Sequence, residues 1–140
     1  MFIKLTENIS VAGQLSPADL VEAGNQGFTG VVNNRPDHES PGQPTSAEMQ
    51  AAAEAAGLRY TAIPVGQAGL DMDMVDAMAA ELDAPGPLLA FCRSGTRSTN
   101  LWALAETKRG GDPETIVKAA ASGNYDVTGL LPTMRKLAAG

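Results

Sequence analysis

The chain has one cysteine, Cys92, and one histidine, His38. A single cysteine cannot close an intrachain disulfide, which fits a reducing compartment. One cysteine and one histidine also fall short of the ligand sets that hold zinc, so no metal and no cofactor is expected. Cations are scarce: 10 Lys and Arg stand against 16 Asp and Glu, a net charge of −6. Nucleic acid and anionic membranes both demand clustered Lys and Arg, so neither is expected as the main partner. No apolar run approaches the ~20 residues of a membrane span. The first residues, Met1 to Glu7, carry no basic segment followed by an apolar one. No signal peptide is therefore expected, and the cytoplasm is the expected location. What is present suits a folded globular protein: 140 residues, 44% hydrophobic and 19% charged, enough for one domain over 1–140 with one core.

Strand and helix signals alternate along the chain. Ile9 to Ala12 reads as a strand, and Ser16-Pro17-Ala18-Asp19 opens a helix with a capping serine and an acid three residues on. Phe28 to Val32 is the next strand, left by the polar loop Asn33 to Asp37. Thr45 or Ser46 caps an alanine-rich helix that Gly57 ends. Tyr60 to Val65 is a strand, Asp71 to Leu82 a helix, and Leu88 to Phe91 a strand. A further helix starts at Ser98, and two shorter ones cover Pro113 to Ala121 and Thr128 to Ala138. Such alternation implies an α/β fold with a central, mainly parallel sheet flanked by helices. In such sheets the site lies beyond the carboxyl ends of the strands. Cys92, the Asn33–Asp37 loop and the Gly66–Leu70 loop all sit at such ends.

The most specific segment is Phe91-Cys92-Arg93-Ser94-Gly95-Thr96-Arg97-Ser98. A thiol has an ordinary pKa near ~8.5 and is mostly protonated at neutral pH; a helix N-terminus and nearby arginines favour the thiolate. The amides of Arg93 through Ser98 can form an anion nest, with Gly95 permitting a backbone that a Cβ resists. Arg97 offers a two-pronged donor to an oxyanion, and the Ser98 hydroxyl is expected to donate to the thiolate. An inert core cysteine does not call for two arginines, two hydroxyls and a glycine within six residues, so a thiolate nucleophile acting on an anionic group is expected. Arg93, Ser94 and Thr96 are expected to contribute to the cradle, and Asn34 and Arg35 to reach it from the neighbouring loop. Trp102 reads as core, and His38 as a solvated loop residue.

The cysteine loop resembles that of single-domain rhodaneses, which are sulfurtransferases, and less closely that of cysteine-dependent protein phosphatases. In the phosphatases the arginine follows the cysteine by six residues; here Arg97 follows by five, and Phe91 replaces the usual preceding histidine. Nearly the whole chain is similar to the DUF442 family, the phosphatase-like domain of beta-lactamase hydrolase-like proteins. The matching stretches are Leu15-Ser16-Pro17, Val32 through Asp37, Pro41 through Pro44, Ala62 through Val65 and Cys92 through Ser98. The resemblance implies the fold of dual-specificity protein tyrosine phosphatases carrying a sulfurtransferase-like loop. It also implies a persulfide dioxygenase-type partner, since similar domains occur fused to such an enzyme.

Two reactions follow from these observations. In sulfur transfer, Cys92 takes a sulfane sulfur, holds it as a persulfide and passes it on; the leaving group needs no proton. In phosphate ester hydrolysis, Cys92 forms a thiophosphate, and the leaving alkoxide needs a general acid. The loop where that acid is expected reads Gly66-Gln67-Ala68-Gly69-Leu70 and has no carboxylate before Asp71. Asp71 and Asp73 read as helix N-terminal acids. Asp37 is an alternative acid on the other rim, and Gln67 a substrate or water contact. Sulfur transfer is therefore expected ahead of phosphatase activity, with a non-catalytic anion or phosphopeptide binding module as a third reading.

Overall fold

The computed structural model describes residues 1–140. Five strands, β1 (Ile3–Lys4), β2 (Ile9–Ala12), β3 (Gly30–Asn33), β4 (Arg59–Ala62) and β5 (Leu88–Phe91), form one sheet in the order β1-β2-β5-β3-β4. The four longer strands run parallel, and β1 pairs antiparallel with β2 at one edge. Six helices surround them: α1 (Pro17–Asn25), α2 (Ser46–Ala55), α3 (Met72–Asp83), α4 (Thr96–Lys108), α5 (Pro113–Ser122) and α6 (Leu131–Ala139). The α/β architecture with a mainly parallel sheet is thus as the alternation predicts. No helix is long and apolar enough to cross a membrane.

The period of two along each strand divides the core. On β5, Leu88 and Ala90 face one layer with Val75 and Met78 of α3, Leu101 of α4, Ile116 of α5 and Met134 of α6. Leu89 and Phe91 face the other layer, with Leu20 of α1 and Met49 of α2. Burial on both faces explains why the strand is a continuous apolar run rather than an alternating one. Trp102 is a core residue, as expected, and is fully buried.

Local signals set most helix starts. Ser16 and Asp19 form the reciprocal capping box on α1, Thr45 caps α2, Asp71 caps α3 and Asp112 caps α5. α4 and α6 are the exceptions, with no side-chain cap. α4 starts at Thr96, not Ser98, because Gly95 at φ +90 supplies the cap by its backbone alone. The expected strand to Val65 stops at Ala62, ahead of Pro64, which has no N–H for a ladder. The expected helix from Thr128 begins as a 3₁₀ turn over Thr128–Leu130 before α6. The sequence signal for β1 is two residues long and gives no period.

Register matters most for the site. Phe91 lies opposite Ala12 on one side and Asn33 on the other, and Asn33 lies opposite Ala62. The four parallel strands therefore end in one row, and the chain leaving each enters a shared region.

Candidate active site

Cys92 is the first residue past β5, and its N–H donates to the Ala12 carbonyl (3.3 Å). The Arg93 carbonyl accepts from Gln14 N–H (3.2 Å), so the loop is pinned to the chain leaving β2. Gly95 then reverses the loop at positive φ, and its N–H donates to Cys92 Sγ (3.1 Å). Its carbonyl accepts from the N–H and hydroxyl of Thr99 (2.9 and 2.8 Å). The Ser94 hydroxyl donates to Thr96 Oγ1 (3.1 Å). The amides of Arg93, Ser94, Arg97 and Ser98 donate to no protein acceptor. That is the pattern of a helix start and preceding loop left open for an anion.

Arg97 turns toward the loop after β3. Its Nη1 donates to Glu39 Oε2 (2.8 Å) and to the Val65 carbonyl (2.7 Å), and its Nη2 to Glu39 Oε1 (2.9 Å). Arg35 Nε donates to the same Glu39 Oε1 (2.9 Å). Glu39 is therefore held at about 2, below its ordinary 4.5, first by the Arg97 hydrogen bond and then by Arg35, against a desolvation cost. Glu39 in turn raises Arg97, with a smaller contribution from Cys92 beside it.

A carboxylate depressed in this way favours the fold above its unfolded pKa, and that contribution disappears as the pH falls through the folded value. Stability should drop as the pH goes from about 4.5 toward 2, and Glu39→Gln should flatten the drop. Melting temperatures of the two proteins across that range check it; parallel curves would show that the ion pair contributes nothing.

Several expected site residues are placed elsewhere. Arg35 is buried and its guanidinium is taken up by Glu39, by Gln14 Oε1 (2.9 Å) and by Ser40 Oγ (2.9 Å). It organises Glu39 and is not a second anion contact. Asn34 is buried, with its Nδ2 donating to the Ile63 carbonyl (3.0 Å). Its Oδ1 accepts from the Ser98 hydroxyl (2.7 Å), so that hydroxyl bridges α4 to the loop after β3 rather than donating to the thiol. This follows from α4 starting two residues earlier, which turns Ser98 inward. Asp37 is exposed and accepts from Ser46 N–H (2.7 Å) at the start of α2. It is occupied at a helix terminus instead of serving as a free acid.

A cleft of about 540 Å³ opens beside the loop, with His38, Glu39, Gln67, Arg93 and Arg97 in its wall and no hydrophobic residue. Cys92 is buried and is not part of that wall, although Arg93 and Arg97 of the same loop are. Gln67 stands where the sequence places it, and His38 is an exposed loop residue, as expected, that also lines the cleft. Sequence reading missed Glu39, although an acid four residues after Arg35 was a signal. It also missed Gln14 and Tyr125, whose hydroxyl donates to the Ser94 carbonyl (2.9 Å), and these gave none.

Residues 1–109 match the family described as beta-lactamase hydrolase-like protein, phosphatase-like domain. The chain belongs to this family. A beta-lactamase hydrolase-like protein of Agrobacterium fabrum strain C58 is 38% identical over 109 residues, covering 77% of this chain and 25% of that protein. The chain thus spans about a quarter of the length of the curated relatives it matches. Among solved structures, a candidate phosphatase from Neisseria meningitidis Z2491 is 27% identical with a TM-score of 0.78, covering 96% of each chain. Kinase associated phosphatase, with serine at its catalytic cysteine, has a TM-score of 0.74 at 13% identity, covering 99% of this chain and 94% of that one; it shares the fold. The scaffold is that of the dual-specificity protein tyrosine phosphatases, and family and fold together place this phosphatase-like domain among the thiol-nucleophile enzymes.

Proposed function

We propose that the domain is a sulfurtransferase that carries sulfane sulfur on Cys92. The observation that supports this reading is the state of the acids around the cleft. Glu39, the carboxylate in the wall, is ionised and bound to two arginines, and Asp37 is committed to α2. A phosphate monoester leaving as an alkoxide needs a proton, which ionised Glu39 cannot give and which Asp37, outside the cleft wall, is not placed to give. Sulfane sulfur transfer does not. The Cys92 thiolate attacks the outer sulfur of thiosulfate, the S–S bond breaks, and sulfite leaves with the electron pair. An acceptor thiolate then attacks the terminal sulfur of the persulfide and Cys92 leaves as thiolate. The free loop amides and Arg97 suit the anionic persulfide between the two steps. A reducing cytoplasm suits such a thiol, and the partner class that fits is a persulfide dioxygenase-type enzyme.

The test is intact mass after incubation with thiosulfate or glutathione persulfide. The protein should gain one sulfur atom and lose it to added thiol. No gain with either donor would overturn the proposal.

The second reading is a phosphatase acting through a Cys92 thiophosphate. It is favoured by the phosphatase scaffold and by His38 in the cleft wall, a residue type that serves as a general acid. Steady hydrolysis of an aryl phosphate, without sulfur uptake, would select it.

A further inference from the structure

Tyr125 reaches the cysteine loop from a part of the chain that lies past residue 109, where the family match ends. It follows α5, and its N–H donates to the Ala120 carbonyl (3.0 Å). The end of α5 is set close against the N-terminal segment: a Cβ on Gly123 would lie 2.7 Å from Leu5 and 2.9 Å from Ile3. Tyr125 is thereby fixed over the loop. Its hydroxyl donates to the Ser94 carbonyl (2.9 Å) and fills the space that a Cβ on Gly95 would need.

The Ser94 carbonyl and the Gly95 N–H belong to one peptide group. That group is planar and trans, so its oxygen and hydrogen point in opposite directions. A donor that holds the oxygen therefore sets the direction of the hydrogen. Here Tyr125 holds the oxygen, and the hydrogen points at Cys92 Sγ, with the nitrogen 3.1 Å away. Without a side chain Gly95 has a wide choice of backbone angles, and a fixed carbonyl is what selects one. We propose that Tyr125 is a positioning residue for the nucleophile: by anchoring the Ser94–Gly95 peptide, its hydroxyl aims the Gly95 N–H at the Cys92 sulfur. Burial and the nearby Cys92 both raise the Tyr125 pKa, so the hydroxyl keeps the proton that this role requires.

The inference rests on Cys92 being the nucleophile, and not on which group it attacks. It is tested in the full chain by the pH profile of Cys92 alkylation with iodoacetamide. Tyr125→Phe keeps the ring and removes only the hydroxyl. Its alkylation rate at neutral pH should fall about three- to tenfold, the worth of one hydrogen bond, with the profile displaced to higher pH. Tyr60→Phe removes a hydroxyl that bonds Asn33 and Ser46 and does not touch the loop, and should leave the profile in place. A Tyr125→Phe profile that superimposes on the wild type overturns the inference. So does an equal displacement in Tyr60→Phe, which would mean general loosening. A wild-type thiol no faster than a free one overturns the nucleophile reading, and this inference with it.

Discussion

Cys92→Ser should abolish sulfur uptake completely and leave the chain folded. The loss is complete because the chain has no second thiol to accept sulfur in its place. A serine hydroxyl at the same position is not a substitute. It is far less acidic than a thiol, so no alkoxide forms at neutral pH to attack sulfane sulfur. The fold should tolerate the change. Cys92 is fully buried, and its Sγ takes the Gly95 N–H, a bond that a serine oxygen can also accept. The stability change should stay within about 1–2 kcal/mol, in the ordinary range for one substitution. Intact mass after thiosulfate treatment, with a thermal melt of the same sample, checks both halves. Sulfur retained by folded Cys92→Ser protein would mean that uptake is not covalent chemistry at this residue.

The resting charge arrangement bears on what Cys92 can attack. Arg97 is directed at Glu39 and the Val65 carbonyl as well as lying beside Cys92. An incoming anion must therefore compete with a carboxylate already in place, and the amides of Arg93, Ser94, Arg97 and Ser98 are the uncommitted donors. The loop offers directional N–H groups more than free positive charge. Under the sulfur transfer proposed above, those N–H groups suit the persulfide held on Cys92 between the two steps.

The fold and the conformation of the cysteine loop are readable because their signals are local. Leu88 to Phe91 is apolar at every position, Ser16 and Asp19 are three residues apart, and Cys92 to Arg97 is one short loop. What was misread involves partners far apart in sequence. Ser98 looks like a cap when only its neighbours are considered, but its hydroxyl meets Asn34, 64 residues away. Arg35 looks like a free cation at a strand end, yet Gln14, from another loop, takes one arm of its guanidinium. Tyr125 has no periodic or motif context at all, and its role exists only because α5 ends against the N-terminal segment. Asp37 illustrates the reverse case. It is a plausible acid until the start of α2 is placed beside it.

Gly95→Ala should damage the cysteine loop while leaving every reactive side chain intact. Two separate costs act there. The backbone at φ +90, ψ −11 is left-handed, which costs an L-residue about 1–2 kcal/mol. The new Cβ would also overlap the Tyr125 hydroxyl and lie 3.0 Å from its Cζ and 3.4 Å from the Ala12 carbonyl. Relieving that overlap means moving Tyr125 off the Ser94 carbonyl or turning the loop, and either one withdraws the Gly95 N–H from the sulfur. A total loss of about 2–4 kcal/mol is expected, lowering the melting temperature by on the order of 10 °C. Gly110→Ala separates the two costs, because Gly110 has φ +106 with nothing within 4 Å of its added Cβ. It should show the strain alone, about 1–2 kcal/mol, and unchanged Cys92 reactivity. Combining Gly95→Ala with Tyr125→Phe should cost less than the sum of the two, since the second change removes the atom that the first collides with. Strict additivity, or a Gly95→Ala protein that melts with the Gly110→Ala one, would show that Tyr125 does not press on the loop.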